Sequence, residues 1–227
     1  MSIPGAQILF IDGLPGSGKS TAASAVGDRL SHTRVFGETT ADHPLLPVLP
    51  DPMGAAFADI HESHTWESFA AAALGKLEAF LAGADGDVLY VFESHPIQST
   101  FRVLFQLDAP QAAILEIWSD LQDRLARVQP RLVYFEESNH LQALRGIAER
   151  RGSAWKSYLV EALGQSPWMR ARGLSAADGV DRWLVEYADL SDRLASSWRF
   201  PMLRLPARPE NYEGRTDALI EWARGGA

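Results

Sequence analysis

Residues 13–20, which read Gly-Leu-Pro-Gly-Ser-Gly-Lys-Ser, combine residue types that can bind a polyphosphate. Glycine lets backbone N–H groups approach an anion closely, because no Cβ blocks the approach or restricts the dihedral angles. Lys19 adds a positive charge for the β- and γ-phosphates, and the hydroxyl of Ser20 can bind Mg²⁺. The spacing matches G-x-x-x-x-G-K-[ST]. The residues predicted to contact the nucleotide are Gly13, Pro15, Gly16, Ser17, Gly18, Lys19, Ser20 and Thr21.

Two predicted elements hold this loop in place. Residues 7–12 are short, apolar and followed by glycine, which predicts a buried strand. Residues 19–30 carry apolar side chains at helical spacing, which predicts a helix. A strand before the loop and a helix after it are the context that phosphate binding requires, and they disfavour the alternative of an ordinary glycine-rich turn.

An acidic residue ends a second buried strand, which is predicted at residues 87–93. Ligands of open α/β sheets bind at the carboxyl ends of the strands, and Mg²⁺ prefers carboxylate and hydroxyl oxygens. We therefore predict that Glu93 and Ser20 form a metal site. The alternatives are an exposed acid at the end of a strand, or an acid that lies nearer the acceptor. His95 follows, and it either contacts substrate or shapes the turn before Pro96.

Three candidates for the acceptor side follow the strand predicted at residues 33–38. Glu38 ends this strand, so it should face the same edge of the sheet as Glu93. We expect Glu38 to bind or deprotonate the hydroxyl of an acceptor, and Asp42 and His43 are alternatives for this role. The competing interpretation is a surface acid in a loop.

Two histidines precede a helix that is predicted at residues 66–81. His61 and His64 are three positions apart, and such a pair can bind a metal ion. A pair of this kind faces solvent more often than it binds a metal. We therefore expect both side chains to be exposed.

Predicted strands and helices alternate along the chain, which is typical of βαβ units and of a parallel sheet covered by helices on both faces. We expect an α/β fold of three layers with about five parallel strands. It would form one domain, residues 1–227, with a helical lid or insertion at about 139–199. The two remaining strands are predicted at 132–135 and 202–205. The helices are predicted at 19–30, 66–81, 114–128, 139–150, 153–163, 175–198 and 214–224.

The composition restricts the possible functions. The 227 residues are 46% hydrophobic, which is enough for one sizeable core. The net charge of -8 gives no general affinity for nucleic acid or anionic membranes, so any phosphate must be bound by a local site. There is no cysteine, which excludes disulfides and thiolate metal sites. Because the chain shows no signal peptide and no stretch of about 20 apolar residues, we expect a cytoplasmic protein without a membrane partner.

The sequence GLPGSGKST after a first strand resembles the P-loop kinase group, which includes nucleoside, nucleotide and small-molecule kinases. The later strand that ends in FES, with the Glu149–Arg150 pair ahead of Trp155, is also similar to a poorly characterised set of bacterial P-loop proteins. The resemblance implies a P-loop NTPase fold, with ATP and Mg²⁺ as cofactors. A GTPase is disfavoured, because the guanine-binding motif N-K-x-D is absent.

The resemblance also implies roles for residues outside the P-loop. P-loop kinases place arginines on a lid, where they clamp the transferring phosphate and exclude water. Arg150 is predicted to have this role, with Arg145 and Arg151 as alternatives. Arg102 matches a position that often holds substrate or phosphate, although a charge on a helix surface is an equal alternative. The adenine base is expected near residues 207–209.

The resulting hypothesis is an ATP- and Mg²⁺-dependent kinase that phosphorylates a hydroxyl of a small molecule. Candidate acceptors are a metabolite, a nucleoside or an antibiotic-like compound. The predicted catalytic residues are Lys19, Glu38, Glu93 and Arg150. The alternative is an ATP-hydrolysing switch or accessory protein that has no small-molecule acceptor. The sequence leaves the acceptor and the oligomeric state open.

Overall fold

The computed structural model describes most of the chain. The described residues are 6–47, 60–140, 142–143, 146, 149, 152, 157, 160–161, 163–208 and 210–225. The strands are β1 (Gln7–Gly13), β2 (Thr33–Phe36), β3 (Leu89–Glu93), β4 (Gln129–Glu136) and β5 (Met202–Pro206). The helices that position the site are α1 (Lys19–Arg29), α2 (Trp66–Gly83), a π-helix (Ile97–Phe101), α3 (Arg102–Gln106), α4 (Gln111–Leu125), α5 (Pro167–Ala171), α6 (Ala176–Ser196) and α7 (Tyr212–Ala223).

The five strands form one parallel sheet in the order β2-β3-β1-β4-β5. β1 is central, and its Ile8 pairs with Tyr90 of β3 on one side and with Pro130 of β4 on the other. The prediction of an α/β fold with about five parallel strands is confirmed. Because the strands are parallel, the loops that follow β1, β2 and β3 meet at one edge of the sheet.

Helices cover both faces of the sheet. Successive side chains of β1 point to opposite faces, and each set packs against different helices. Ile8 and Phe10 pack into a cluster with residues of α2, α4 and α6. Leu9 and Ile11 pack on the opposite face with residues of α1 and α7. These four side chains are at most 1% exposed, as expected for a parallel strand that is buried on both sides. The molecule therefore has the three predicted layers.

The second strand is shorter than predicted. β2 ends at Phe36 rather than at Glu38, because the backbone turns immediately afterwards. The N–H of Gly37 donates to Oγ1 of Thr40 at 2.8 Å, and the N–H of Glu38 donates to the carboxylate of Glu93 at 3.0 Å. These bonds replace the ladder bonds that would continue the strand, yet they keep Glu38 at the edge of the sheet.

Several helical segments differ from the sequence pattern. α4 ends at Leu125, three residues before the predicted end, and Gln129 already belongs to β4. The π-helix, α3 and α5 have no counterpart among the predicted helices. Ser166 caps α5 by accepting a hydrogen bond from the N–H of Met169 at 3.3 Å. No helix in the described part of the chain is both long and apolar enough to cross a bilayer.

The first part of the predicted lid lies mostly outside the described residues. Most residues of the helices predicted at 139–150 and 153–163 lie outside the described residues. α6, which follows them, agrees with the helix predicted at 175–198. The lid at about 139–199 therefore stays a prediction.

Candidate active site

The loop between β1 and α1 has a backbone that requires glycine. Gly13, Gly16 and Gly18 have φ angles of +140°, +75° and +96°, which residues with a side chain rarely adopt. At Gly13 a Cβ would also lie 2.8 Å from the carbonyl oxygen of Phe135 on β4. The loop leads directly into α1, and the N-terminus of a helix favours bound phosphate. The local geometry therefore fits the phosphate-binding loop that the sequence predicts.

The remaining residues predicted to bind nucleotide surround this backbone. Pro15 is half-buried, whereas Ser20 and Thr21 are exposed in the first turn of α1. Ser17 is 4% exposed, and its Oγ has no hydrogen-bond partner in the described part of the protein. Ser17 thus has an unused polar atom inside the loop.

Lys19 is buried within the loop at 4% exposure. Its Nζ donates a hydrogen bond to the carbonyl oxygen of Leu14 at 3.0 Å, so the ammonium group lies along the loop backbone. Burial lowers the pKa of Lys19, and the carboxylates of Asp12, Glu93 and Glu38 oppose this shift. Three nearby acids stabilise a cation that would otherwise be costly to bury.

Glu93 connects the loop to the rest of the sheet edge. Its Oε1 accepts hydrogen bonds from Oγ of Ser20 at 3.1 Å and from Oγ of Ser94 at 2.6 Å. Its Oε2 accepts the N–H of Glu38 at 3.0 Å. Glu93 is 6% exposed, which excludes the alternative of an exposed acid at the end of a strand.

Ser20 and Glu93 fit the donor set of a magnesium ion. A hydroxyl and a carboxylate oxygen 3.1 Å apart at the end of a phosphate-binding loop are hard ligands, and Mg²⁺ in such sites is usually completed by phosphates and water. Among the described residues, no group of three or more His, Asp or Glu side chains could hold a metal ion. A metal held by one carboxylate, one hydroxyl and the nucleotide is consistent with this arrangement.

Glu38 and Arg102 form an ion pair beside Glu93. The Nη2 of Arg102 lies 3.7 Å from Oε1 of Glu38, and its Nε donates to the carbonyl oxygen of Gln98 at 2.7 Å. The Arg102 side chain is 15% exposed and that of Glu38 is 32% exposed. Arg102 is therefore not a charge on a helix surface, and the structure brings two residues chosen from the sequence next to each other.

Asp12 is a site residue that the sequence analysis missed. It is fully buried at the end of β1 and accepts hydrogen bonds from the N–H groups of Gly13, Ile97 and Gln98. Burial raises its pKa to about 7, although Lys19 and these N–H groups act in the opposite direction. Asp12 thus ties the start of the phosphate-binding loop to the π-helix. An acid that ends an otherwise apolar strand was the available signal.

The histidines near Glu93 are buried among aromatic rings. His43 is 2% exposed, lies 5.9 Å from the ring of Phe36, and accepts the N–H of Leu45 through Nδ1. His95 is 4% exposed, and its Nδ1 lies 2.5 Å from Oγ of Ser99. Burial lowers the pKa of His43 to about 4 and that of His95 well below its ordinary value. These contacts fit packing and turn formation, and they leave Glu38 as the candidate nearest to Glu93.

Arg215 on α7 supports the loop from the opposite side. Its Nη1 donates to the carbonyl oxygens of Ser17, Pro206 and Ala207 at 3.2, 3.2 and 3.0 Å. Its guanidinium lies 4.5 Å from the ring centre of Phe135, and the residue is 7% exposed. Arg215 joins the phosphate-binding loop to the turn after β5. No sequence signal identifies it, because an arginine in an exposed-looking terminal helix is an ordinary feature.

Several predicted site residues fall outside the described part. Arg145, Arg150, Arg151 and Pro209 belong to this group, so the lid arginine stays a prediction. Near the expected base site, Nε of Arg208 pairs with Oε2 of Glu137 at 3.1 Å. The position of the adenine base also stays a prediction.

The aromatic residues of α3, α5 and α6 form a buried core beside the loop. The rings of Phe105 and Trp168 are 5.6 Å apart, and those of Trp183 and Tyr187 are 5.0 Å apart. Leu14 of the phosphate-binding loop packs into the same cluster. The hydroxyl of Tyr187 donates to the carbonyl oxygen of Ile97 in the π-helix at 3.2 Å. These aromatics therefore act as core that supports the site.

Comparison with solved structures identifies the class of fold. A thymidylate kinase from Candida albicans is similar with a TM-score of 0.53 at 12% identity, covering 96% of this chain and 91% of that one. A deoxyadenosine kinase from M. mycoides gives a TM-score of 0.48 at 12% identity and covers 96% of each chain. No protein-family model and no curated protein matches the sequence. The chain has the fold of a nucleotide kinase-like P-loop NTPase.

Proposed function

We propose that this protein is an ATP- and Mg²⁺-dependent phosphotransferase that acts on a hydroxyl of a small molecule, such as a metabolite, a nucleoside or an antibiotic-like compound. The observation that carries the proposal is the carboxylate of Glu93. It bonds Oγ of Ser20 on the phosphate side and the N–H of Glu38 on the acceptor side. A nucleotide bound in the loop would thus lie on one side of the Glu93 carboxylate, and Glu38, which would bind the acceptor, lies on the other.

The residues around the loop have separate tasks in this proposal. The backbone N–H groups of residues 13–20 and the ammonium group of Lys19 bind the phosphates. Ser20 and Glu93 would hold Mg²⁺, which would neutralise charge on the phosphate oxygens. Phosphoryl transfer depends mainly on positioning and charge stabilisation, and the rigid hydrogen bonds of Glu93 supply the positioning.

Glu38 would orient the acceptor. The hydroxyl oxygen attacks the γ-phosphorus of ATP, a new P–O bond forms, and the bond from that phosphorus to the bridging oxygen of ADP breaks. The hydroxyl proton passes to the carboxylate of Glu38. Arg150 is the proposed lid residue that stabilises the charge of the transferring group.

The test is transfer of label from ATP that is radiolabelled in its γ-phosphate. Wild-type protein, Mg²⁺ and a small-molecule extract should give a labelled organic product. Lys19→Ala should lower its formation at least about 1000-fold, equivalent to about 4 kcal/mol, because the phosphates lose their buried cation. Lys76→Ala, an exposed lysine on α2, is the matched control and should keep normal activity.

Two results would contradict the proposal. Equal activity of the Lys19→Ala and wild-type proteins, both shown to be folded by circular dichroism, would remove the loop from the mechanism. Steady release of labelled inorganic phosphate, with no organic product from any extract, would instead favour the ATP-hydrolysing switch.

A further inference from the structure

Two buried side chains near the Glu38–Arg102 pair have polar atoms without partners. His61 is 8% exposed, and neither of its ring nitrogens has a hydrogen-bond partner in the described part of the chain. Gln98 is 7% exposed, and its Oε1 also lacks one there. The expectation that His61 faces solvent is therefore wrong. A buried polar atom without a partner is costly and uncommon in native proteins, so two such side chains need an explanation.

Arg102 connects these two side chains to the site. Its Nε donates to the backbone of Gln98 at 2.7 Å, and its Nη2 lies 3.7 Å from Glu38. The charges of Arg102 and of Arg170 on α5 both act on the ring of His61. α3, which begins at Arg102, contacts both α2 and α5. His61 lies just before α2 in the sequence. His61 and the backbone of Gln98 thus both lie near Arg102, which pairs with Glu38.

The side chains of His61 and Gln98 are both uncharged at neutral pH. Burial lowers the pKa of His61 to about 4, and the charges of Arg170 and Arg102 act in the same direction. At neutral pH the ring therefore has one N–H donor and one nitrogen acceptor. Oε1 of Gln98 adds an acceptor. A ligand that satisfies these atoms must offer both donors and acceptors, as hydroxyl groups and amides do.

The charges nearby disfavour ionic acceptors. A phosphate group on the acceptor would lie beside the carboxylates of Glu38 and Glu93, and the guanidinium of Arg102 is already paired with Glu38. An ammonium group would lie beside Arg170 and beside Arg102, whose charge already offsets that of Glu38. Because Glu38 and Arg102 already pair with each other, neither is left to compensate an ion that leaves water here, whereas a neutral molecule needs no such partner.

We propose that His61 and Gln98 form the recognition subsite for an uncharged, polyhydroxylated or amide-bearing acceptor, whose reacting hydroxyl lies toward Glu38. This inference rests on the proposed function and sharpens it: the protein would phosphorylate a neutral alcohol and would not extend an existing phosphate. The new bond is the ester described above, with ADP as the leaving group.

Fractionation of the extract tests the charge of the acceptor. A small-molecule extract is separated on anion- and cation-exchange resins into neutral, anionic and cationic pools, and each pool is incubated with γ-labelled ATP and Mg²⁺. We expect the labelled product from the neutral pool. Product from only the anionic or only the cationic pool would overturn the inference while leaving the proposed function intact. No product from any pool would overturn both.

Substitutions test the two residues, with the active pool or its purified component as the acceptor. Gln98→Leu and His61→Phe should each raise the KM for the acceptor about 10-fold, since each loses hydrogen bonds worth about 1.4 kcal/mol, while the KM for ATP changes less than about twofold. His64→Phe and Gln106→Leu are the matched controls. Gln106 is also buried with an Oε1 that lacks a partner among the described residues, but it is not assigned to the subsite.

The comparison with the controls decides the assignment. If Gln106→Leu and His64→Phe raise the acceptor KM as much as the substitutions at Gln98 and His61, the effect is general loosening of the core and the assignment is wrong. If the substitutions at Gln98 and His61 raise the KM values for ATP and acceptor equally, the subsite is also wrong. A change confined to the acceptor, with the controls unaffected, supports it.

Discussion

The phosphate end and the acceptor end of the site differ in how their polar groups are satisfied. At the phosphate end, residues 12–20 with Glu93, each buried charged group has protein partners: Asp12 accepts backbone N–H groups, Lys19 donates to a carbonyl, and Glu93 accepts three hydrogen bonds. At the proposed acceptor end, the ring nitrogens of His61 and Oε1 of Gln98 lack partners among the described residues, whereas the atom without a partner at the phosphate end is the uncharged hydroxyl of Ser17. The acceptor end consists of Glu38, His61, Gln98 and Arg102.

The proposed function accounts for this difference by what each end would bind. A triphosphate tail is the same in every nucleotide, so a rigid cradle with its charges already fixed can serve it. An acceptor is one particular molecule, and its recognition needs side-chain atoms that bond to it and not to the protein. Under the proposed function, the unpartnered atoms of His61 and Gln98 would serve specificity, and the fixed charges of the phosphate end would serve preorganisation.

The largest predicted effect concerns the support of the phosphate end. Arg215→Met removes the donor to the carbonyl oxygens of Ser17, Pro206 and Ala207, and we expect it to lower the free energy of unfolding by about 3–5 kcal/mol. The same change should weaken ATP binding, because Ser17 belongs to the loop, and leave the KM for the acceptor nearly unchanged. Urea denaturation and ATP titration measure the two effects.

Arg29→Met is the control for this prediction. Arg29 of α1 pairs with Asp217 of α7 at 2.5 Å, but both side chains are exposed. An exposed pair of this kind typically contributes less than about 1 kcal/mol. Two results would contradict the prediction that Arg215 on α7 stabilises the phosphate-binding loop. One is an equal loss of stability in the Arg29 and Arg215 variants, and the other is unchanged ATP binding in Arg215→Met.

The sequence predicts the phosphate end well because its chemistry lies in one continuous segment. Eight residues would supply the backbone groups, the cation and the metal ligand of the proposed site, and the flanking strand and helix carry apolar residues. Glu93 is predictable for a similar reason, since it ends a second apolar strand and must reach the same edge. Contacts between distant segments, such as Arg215 with Ser17, leave no pattern in one sequence.

The acceptor end was predicted only in part. Glu38 could be found because it follows a strand, although β2 ends two residues earlier than the pattern indicates. The π-helix and α3 were missed, because their residues lack a clear helical period and follow a turn at His95–Pro96. Gln98 therefore had no predicted position. The burial of His61 could not be predicted from its spacing to His64, because that burial depends on packing against other segments.

The second prediction tests the chemistry at the acceptor end. Glu38→Gln keeps the size of the side chain but removes the charge that would accept the hydroxyl proton. We expect kcat to fall about 100-fold, or about 2.7 kcal/mol, with a change of less than about twofold in the KM for ATP. Steady-state kinetics with the identified acceptor give both values.

Asp42→Asn is the control, since Asp42 is the exposed alternative on the same loop. It should leave kcat unchanged. A larger fall for Asp42→Asn than for Glu38→Gln would transfer the proposed role to Asp42. A fall in ATP affinity without a fall in single-turnover rate would show that Glu38 serves binding and not chemistry.

The smaller of the two predicted effects on stability concerns Asp12, which joins the two ends through its bonds to Gly13 and to the π-helix. Its pKa is raised from 3.8 to about 7, so between these values the native state binds a proton that the unfolded state lacks. This contribution to stability is present at low pH and is lost as the pH rises toward 7. Between pH 5 and pH 7 the loss is about 2 kcal/mol.

Asp12→Asn removes this titration while keeping an oxygen that can accept a backbone N–H. The free energy of unfolding of the variant, relative to wild type, should therefore rise by about 2 kcal/mol between pH 5 and pH 7. Buried His43 and His61 change stability in the opposite direction over this range, because their pKa values of about 4 lie below the ordinary value. They are present in both proteins, so only the difference between the two urea-denaturation profiles isolates Asp12. A difference that is constant with pH would mean that Asp12 is ionised throughout, held by Lys19, and that the two ends are joined by a fixed charge.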